Sequence, residues 1–195
     1  ADRTKETHLS QLKEQGIEEI DMVVVNLYPF AQTIAKENVT LKEAIENIDI
    51  GGPTMIRSAA KNFEGVAVVV NPERYQEILD ELKRNNGSLS VETNFLLAKE
   101  AFKHTAEYDT VIYQYLYGEK NDFPARLNLS FEKIQDLRYG ENPHQKAAYY
   151  REPDAPEHSL VFAQQLHGKA LSFNNILDLD AALGLVREFT VPAAI

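Results

Sequence analysis

Two short runs decide how this chain folds: IDMVVVN, from Ile20 to Asn26, and VAVVV, from Val66 to Val70. Both are rich in β-branched residues without polar alternation at their centre, the pattern of strands covered on both faces rather than on one. Between them the spacing is helical. Thr40-x-x-Glu43 is a capping box that opens the helix LKEAIENI, and ENIDIGGPTMIRSAAKN (Glu46–Asn62) carries a second helix up to the second strand. Strand, helix, strand in this order predicts an α/β fold with a parallel sheet flanked by helices.

Working outward, Thr4–Gln15 has helical spacing and stops at Gly16. After the second strand, Asn71-Pro72 turns into the helix ERYQEILDELKR, which ends near Asn86-Gly87. Ser90–Tyr117 reads as a long helix with a candidate break near His104-Thr105. Phe95, Phe102, Tyr108, Tyr113 and Tyr117 form its expected packing stripe. Periodicity then stops, and residues 121–128 are the expected linker between a first domain, 1–120, and a second, 129–195. In the second, LSFEKIQDLRYG, AAYY and HSLVFAQQL read as strands and NILDLDAALGLVREF as a helix.

Composition narrows the function classes. Of 195 residues, 44% are hydrophobic and 26% charged, values of an ordinary globular protein. The net charge of −10 argues against binding a nucleic-acid polymer, which needs a basic face. With no cysteine there is no disulfide, thiolate nucleophile or Cys-based zinc site, which fits a cytoplasmic setting. No apolar run approaches the roughly 20 residues of a membrane span.

Four segments hold polar residues with little packing value. Gly51-Gly52 before Pro53 offers unpaired amides at a helix start, suited to an anion or developing oxyanion, with Asp49 beside them as an acid or base. Arg57 and Lys61, four apart, share a helix face. The same residues also fit a plain turn with two solvated cations. NLYPF (Asn26–Phe30) sits at the carboxyl end of the first strand, where open parallel sheets bind ligands: Asn26 could bond a ligand amide and Tyr28 donate a proton, or the segment could close the core over Phe30. LRYGENPHQ (Leu137–Gln145) gathers Arg138, Tyr139, Asn142 and His144, either an anion-binding set or a structural loop.

HGKALSFNN (His167–Asn175) is not a phosphate loop of the GxxxxGK[ST] kind, because Ala163 and Ala170 stand where Gly and Ser or Thr are required. Lys169, Ser172, Asn174 and Asn175 remain candidate pocket residues, and Asp178 and Asp180 are expected to cap the next helix. His8, His104 and His158 are expected to be surface or structural.

DMVVVNLYPF, ENIDIGGPTMIRSAAKN, LRYGENPHQ and GKALSFNN, in that order, resemble the family of bifunctional purine-biosynthesis enzymes that join inosine monophosphate (IMP) cyclohydrolase to AICAR formyltransferase. The resemblance spans essentially the whole chain. It implies a methylglyoxal-synthase-like α/β domain followed by the start of a cytidine-deaminase-like transformylase domain. It further implies formyl transfer from the cosubstrate 10-formyltetrahydrofolate to AICAR, and dehydrative closure of formyl-AICAR to IMP without a metal or cofactor. On the resemblance, Tyr28, Asp49 and Lys61 are catalytic in one shared pocket. Asn26, Gly51 and Gly52 would bind the cyclohydrolase substrate, and Arg138, Tyr139, His144 and Asn174 would bind AICAR. The family is homodimeric and cytoplasmic. Its earlier Lys-Thr segment would precede Ala1 and its Lys-His-x-Asn-Pro-Cys-Gly motif would follow Ile195. The expectation is therefore a central piece carrying part of each site, with an inactive nucleotide-binding or structural piece as the alternative.

Overall fold

The computed structural model describes residues 1–117, 127–153 and 155–195, so most of the expected linker lies outside the described residues. The chain separates into two compact units, Ala1–Asn128 and Leu129–Ile195.

In the first unit, α1 (Glu6–Glu14) ends as its sequence indicates. Gly16 takes φ +64°, its N–H donates to the Lys13 carbonyl, and the Ile17 N–H reaches the Leu12 carbonyl at 2.9 Å. This paired closure needs a left-handed residue, which glycine supplies without strain. Then β1 (Met22–Val24) pairs in parallel with β2 (Ala67–Val69), Met22 opposite Ala67 and Val24 opposite Val69. Every residue of β2 is buried. β1 is not the strand covered on both faces that its run predicted: Met22 and Val23 are half-buried and Val24 is 50% exposed. Both strands are shorter than their runs, because strand length depends on a partner that continues alongside.

The crossover holds three helices: α2 (Phe30–Ile34), α3 (Leu41–Glu46) and α4 (Gly51–Lys61). Thr40 caps α3, its hydroxyl accepting the Glu43 N–H at 3.1 Å. Along α4, Gly52, Ile56, Ala59 and Ala60 are buried, the i, i+4, i+7, i+8 stripe of a helix laid on a sheet. A short 3₁₀ turn (Pro72–Arg74) leads into α5 (Tyr75–Arg84). The last element of the unit is α6 (Val91–Tyr117), 27 residues without a break.

Two expectations for α6 are corrected. It continues through His104-Thr105, where the buried Thr105 satisfies its hydroxyl on the Phe102 carbonyl at 3.2 Å. Its packing face is also not led by the aromatic stripe: Tyr108 does pack against Phe30, but Phe95 is 48% exposed and Phe102 40%, while Leu97, Ala98, Ala101 and Thr105 are buried. Small side chains on both helices, Ala59 and Ala60 against Ala98 and Ala101, let α4 and α6 approach closely over Val68 and Val70. The rings flank that seam under cations, Arg57 over Phe102 at 5.5 Å and Lys99 over Phe95 at 5.1 Å. At the start of α6 the Glu81 carboxylate accepts the Ser90 N–H and the Thr93 hydroxyl, each at 2.7 Å, and these bonds hold its pKa below the usual value.

In the second unit, β3 (Glu132–Asp136) and β4 (Ala148–Arg151) form an antiparallel pair with an irregularity between Lys133 and Gln135. The strand expected over HSLVFAQQL is instead a 3₁₀ turn at Leu160–Phe162. Successive i to i+3 bonds, from Ser159 N–H to Pro156 O and from Phe162 N–H to Ser159 O, curl the segment before it can extend. The final helix is α7 (Phe173–Val186), capped by Ser172 in a reciprocal box with Asn175. Asp178 and Asp180 therefore lie inside α7 and do not cap it. Among the described residues no helix is long and apolar enough to cross a membrane.

Candidate functional site

The carboxyl ends of β1 and β2 open onto a corner organised around Asp49. Its Oδ1 accepts the Gly52 N–H at 2.7 Å, its Oδ2 accepts the Tyr28 N–H at 3.3 Å, and its own N–H donates to the Tyr108 Oη at 2.8 Å. One carboxylate thus ties the start of α4 to the loop leaving β1, with negative charge placed at the positive end of a helix. The glycine pair divides its work accordingly. A Cβ on Gly52 would stand 2.6 Å from Asp49 Oδ2 and 2.6 Å from Leu27 Cδ2, so that position requires glycine for space. A Cβ on Gly51 would meet nothing within 4 Å. Neither has a positive φ, and the Gly52 amide, expected to await an anion, is taken by Asp49.

Beside this corner lies a hollow of about 260 Å³ lined by Asn26, Tyr28, Phe30, Gln32, His104 and Tyr108 among others. Asn26 and Tyr28 are where the sequence placed them, on the loop at the strand's carboxyl end, with Tyr28 57% exposed. His104 and Tyr108 were missed as site residues. They stand one turn apart on α6, and the usable signal was that spacing: an imidazole and a phenol at i and i+4 share a helix face. Phe30 meets the Tyr108 ring edge-on with centroids 6.4 Å apart. Burial, together with the Asp49 charge, raises the Tyr108 pKa above that of a free phenol, although the Asp49 N–H opposes the shift; the group is protonated at neutral pH.

Lys61 does not join this corner. It is the last residue of α4 and exposed, ten residues beyond Gly51. Helical rise alone sets it roughly 15 Å away along the axis. Of the three residues expected to share one pocket, Tyr28 lines the hollow, Asp49 meets Tyr28 through the Tyr28 backbone N–H, and Lys61 stands at the far end of α4. A helix that returns antiparallel between parallel strands carries its two ends to opposite edges of the sheet. Arg57, midway along, is engaged with Phe102.

The second unit brings its two motifs together. The Arg138 N–H donates to the Leu171 carbonyl at 2.7 Å, the Phe173 N–H to the Tyr139 carbonyl at 3.1 Å, and Asn174 Nδ2 to the Glu141 carbonyl at 3.2 Å. LRYGENPHQ is therefore stitched to the start of α7. The loop closes on itself through Gly140 N–H to Gln145 O and Asn142 N–H to Gln145 Oε1. A Cβ on Gly140 would lie 2.9 Å from the Gln145 Cβ, so the loop demands glycine there. The Arg138 guanidinium stacks on the Tyr139 ring at 4.8 Å and donates to its hydroxyl at 3.2 Å. His144 is exposed in the same loop. Ser172 and Asn175, candidate pocket residues, are committed to capping α7. Among the described residues no group of three or more His, Cys, Asp or Glu could hold a metal ion.

Comparison with known proteins divides the chain elsewhere, within α4 of the first unit. The AICARFT/IMPCHase bienzyme family matches residues 59–195, and the MGS-like domain family matches residues 2–54. The bifunctional purine biosynthesis protein PurH of Bacillus thuringiensis is 58% identical over 196 residues, 99% of this chain and 38% of that protein. The PurH of Acetivibrio thermocellus is 54% identical over 195 residues, again 99% and 38%. The crystal structure of ForH aligns at TM-score 0.48 with 34% identity, covering 57% of each chain. The chain spans 38% of the length of the curated relatives it matches. By its match over more than half its residues, it belongs to the AICARFT/IMPCHase bienzyme family.

Proposed function

We propose that this chain is part of an enzyme of purine biosynthesis that formylates AICAR from 10-formyltetrahydrofolate and then closes formyl-AICAR to IMP. On this proposal residues 1–120 belong to the cyclohydrolase and residues 129–195 to the formyltransferase, in a cytoplasmic homodimer. The supporting observation is the Asp49 corner, a carboxylate held by two backbone amides and bonded to Tyr28 and Tyr108, both of which line the hollow.

Ring closure joins the carboxamide nitrogen to the formyl carbon. The formyl oxygen takes one proton from that nitrogen and one from the formamido nitrogen, and leaves as water. Asp49 accepts the carboxamide proton: each of its oxygens accepts one backbone N–H and keeps a second lone pair. Tyr28 donates toward the departing oxygen, and Asn26 orients the carboxamide. Gly51 and Gly52 act in this proposal as backbone, the first presenting an unobstructed helix start and the second holding Asp49. Lys61 retains a catalytic part only if a second copy of the chain brings it to the hollow. Binding two reacting groups of one molecule in place is most of the catalysis such a step needs.

In the second unit Arg138 and Tyr139, with His144 and Asn174 on the same stitched loop, are proposed to bind AICAR. A guanidinium stacked on a phenol suits a planar or anionic group. Nothing in this donor set is specific for a pterin; the folate supplies the formyl group when bound.

The other reading is a nucleotide-binding piece without turnover. The distance of Lys61 from Asp49 favours it. Mixing the chain with formyl-AICAR and following the ultraviolet signature of IMP separates the two. Product that accumulates in proportion to chain concentration is the expected result; binding without product supports the second reading.

A further inference from the structure

Tyr108 is bound to the Asp49 corner from a distance of 59 residues, by a contact that packing does not require. Its ring alone would fill the space against Phe30, as Tyr115 shows by meeting the same Phe30 edge-on at 5.7 Å without touching Asp49. What the hydroxyl adds is an acceptor for the Asp49 N–H. Oη holds two lone pairs and one proton, so accepting that bond leaves its proton free to donate.

We propose that Tyr108 is a positioning residue of the cyclohydrolase site: its phenol fixes the backbone of Asp49 while its ring and His104 form the α6 wall of the hollow. This rests on the reading of the hollow as the cyclohydrolase site. Three bonds then define Asp49: its N–H to α6, Oδ1 to the start of α4, and Oδ2 to the β1 loop. Two of them hold the carboxylate between α4 and the β1 loop. The third fixes where that backbone stands, and with it the path of the proton that Asp49 accepts. Tyr108 is protonated at neutral pH and remains a neutral donor facing the hollow.

The test compares Tyr108→Phe with Tyr115→Phe in the full chain, measuring ring closure of formyl-AICAR. Tyr108→Phe keeps the ring and loses the acceptor. It should lower kcat at least about tenfold, as misplacement of a reacting group does, with KM within about twofold. Tyr115→Phe should leave both unchanged. Wild-type kcat in Tyr108→Phe, or an equal loss in Tyr115→Phe, overturns the proposal while the cyclohydrolase reading stands. A wild-type chain that closes no ring removes that reading and this proposal together. If Tyr108→Phe does not fold, exchange of the Asp49 amide proton in the wild-type chain decides. It should slow when IMP binds, and unchanged exchange overturns the proposal.

Discussion

Gly52→Ala is expected to destabilise the first unit by about 1–3 kcal/mol, lowering its melting temperature by on the order of 10 °C, whereas Gly51→Ala leaves it unchanged or slightly firmer. The two glycines are adjacent and both helical, so propensity alone predicts the same sign for both changes: alanine favours a helix over glycine. Space separates them. At Gly52 the new methyl would stand 2.6 Å from both the Asp49 carboxylate and the Leu27 side chain. Leu27 packs against the cluster around Ile56 and Val68, so retreat on that side opens the core. Retreat on the other side breaks the bond from the Gly52 N–H to Asp49. At Gly51 the methyl enters open space. Denaturant unfolding of the two variants measures the difference, and equal stabilities would show that the close approach at Gly52 is not real.

Asp49 carries the second large effect. Asp49→Ala strips two backbone donors of their acceptor and should cost about 2–3 kcal/mol. Asp49→Asn keeps one carbonyl oxygen for one of the donors and should cost about 1 kcal/mol. It cannot accept the carboxamide proton, however, so any ring closure seen with the wild-type chain should fall by at least about 100-fold. The pair therefore separates holding the corner together from moving a proton. If Asp49→Asn lowers turnover only as far as its lost stability accounts for, Asp49 is a clamp and not a base.

The α/β order was legible because burial on both faces writes itself into composition. A run such as Val66–Val70 has no solvent side, and β2 is buried throughout. The ends of α1 and α3 were legible for a local reason, since Gly16 and Thr40 act within a few residues of themselves. What was not legible depends on partners far along the chain. Nothing near Tyr108 announces that its hydroxyl meets Asp49, 59 residues away. Aromatic spacing suggested that Phe95 and Phe102 were core, but the close α4–α6 seam selects alanines. In the second unit the apolar residues of Leu160–Phe162 resembled a strand, yet the turn-forming Pro156 and Ser159 before them prevailed. Lys61 was placed by family pattern, and a motif lists residues without saying which end of a helix each will occupy.

The most direct measurement is a titration of the isotope-labelled chain with IMP, followed through its backbone amide resonances. Shifts that saturate together at Asn26–Gln32, Asp49–Gly52 and His104–Tyr108 are the predicted result, since these three segments border one hollow and one carboxylate. Saturable binding that leaves all three segments unmoved would contradict it.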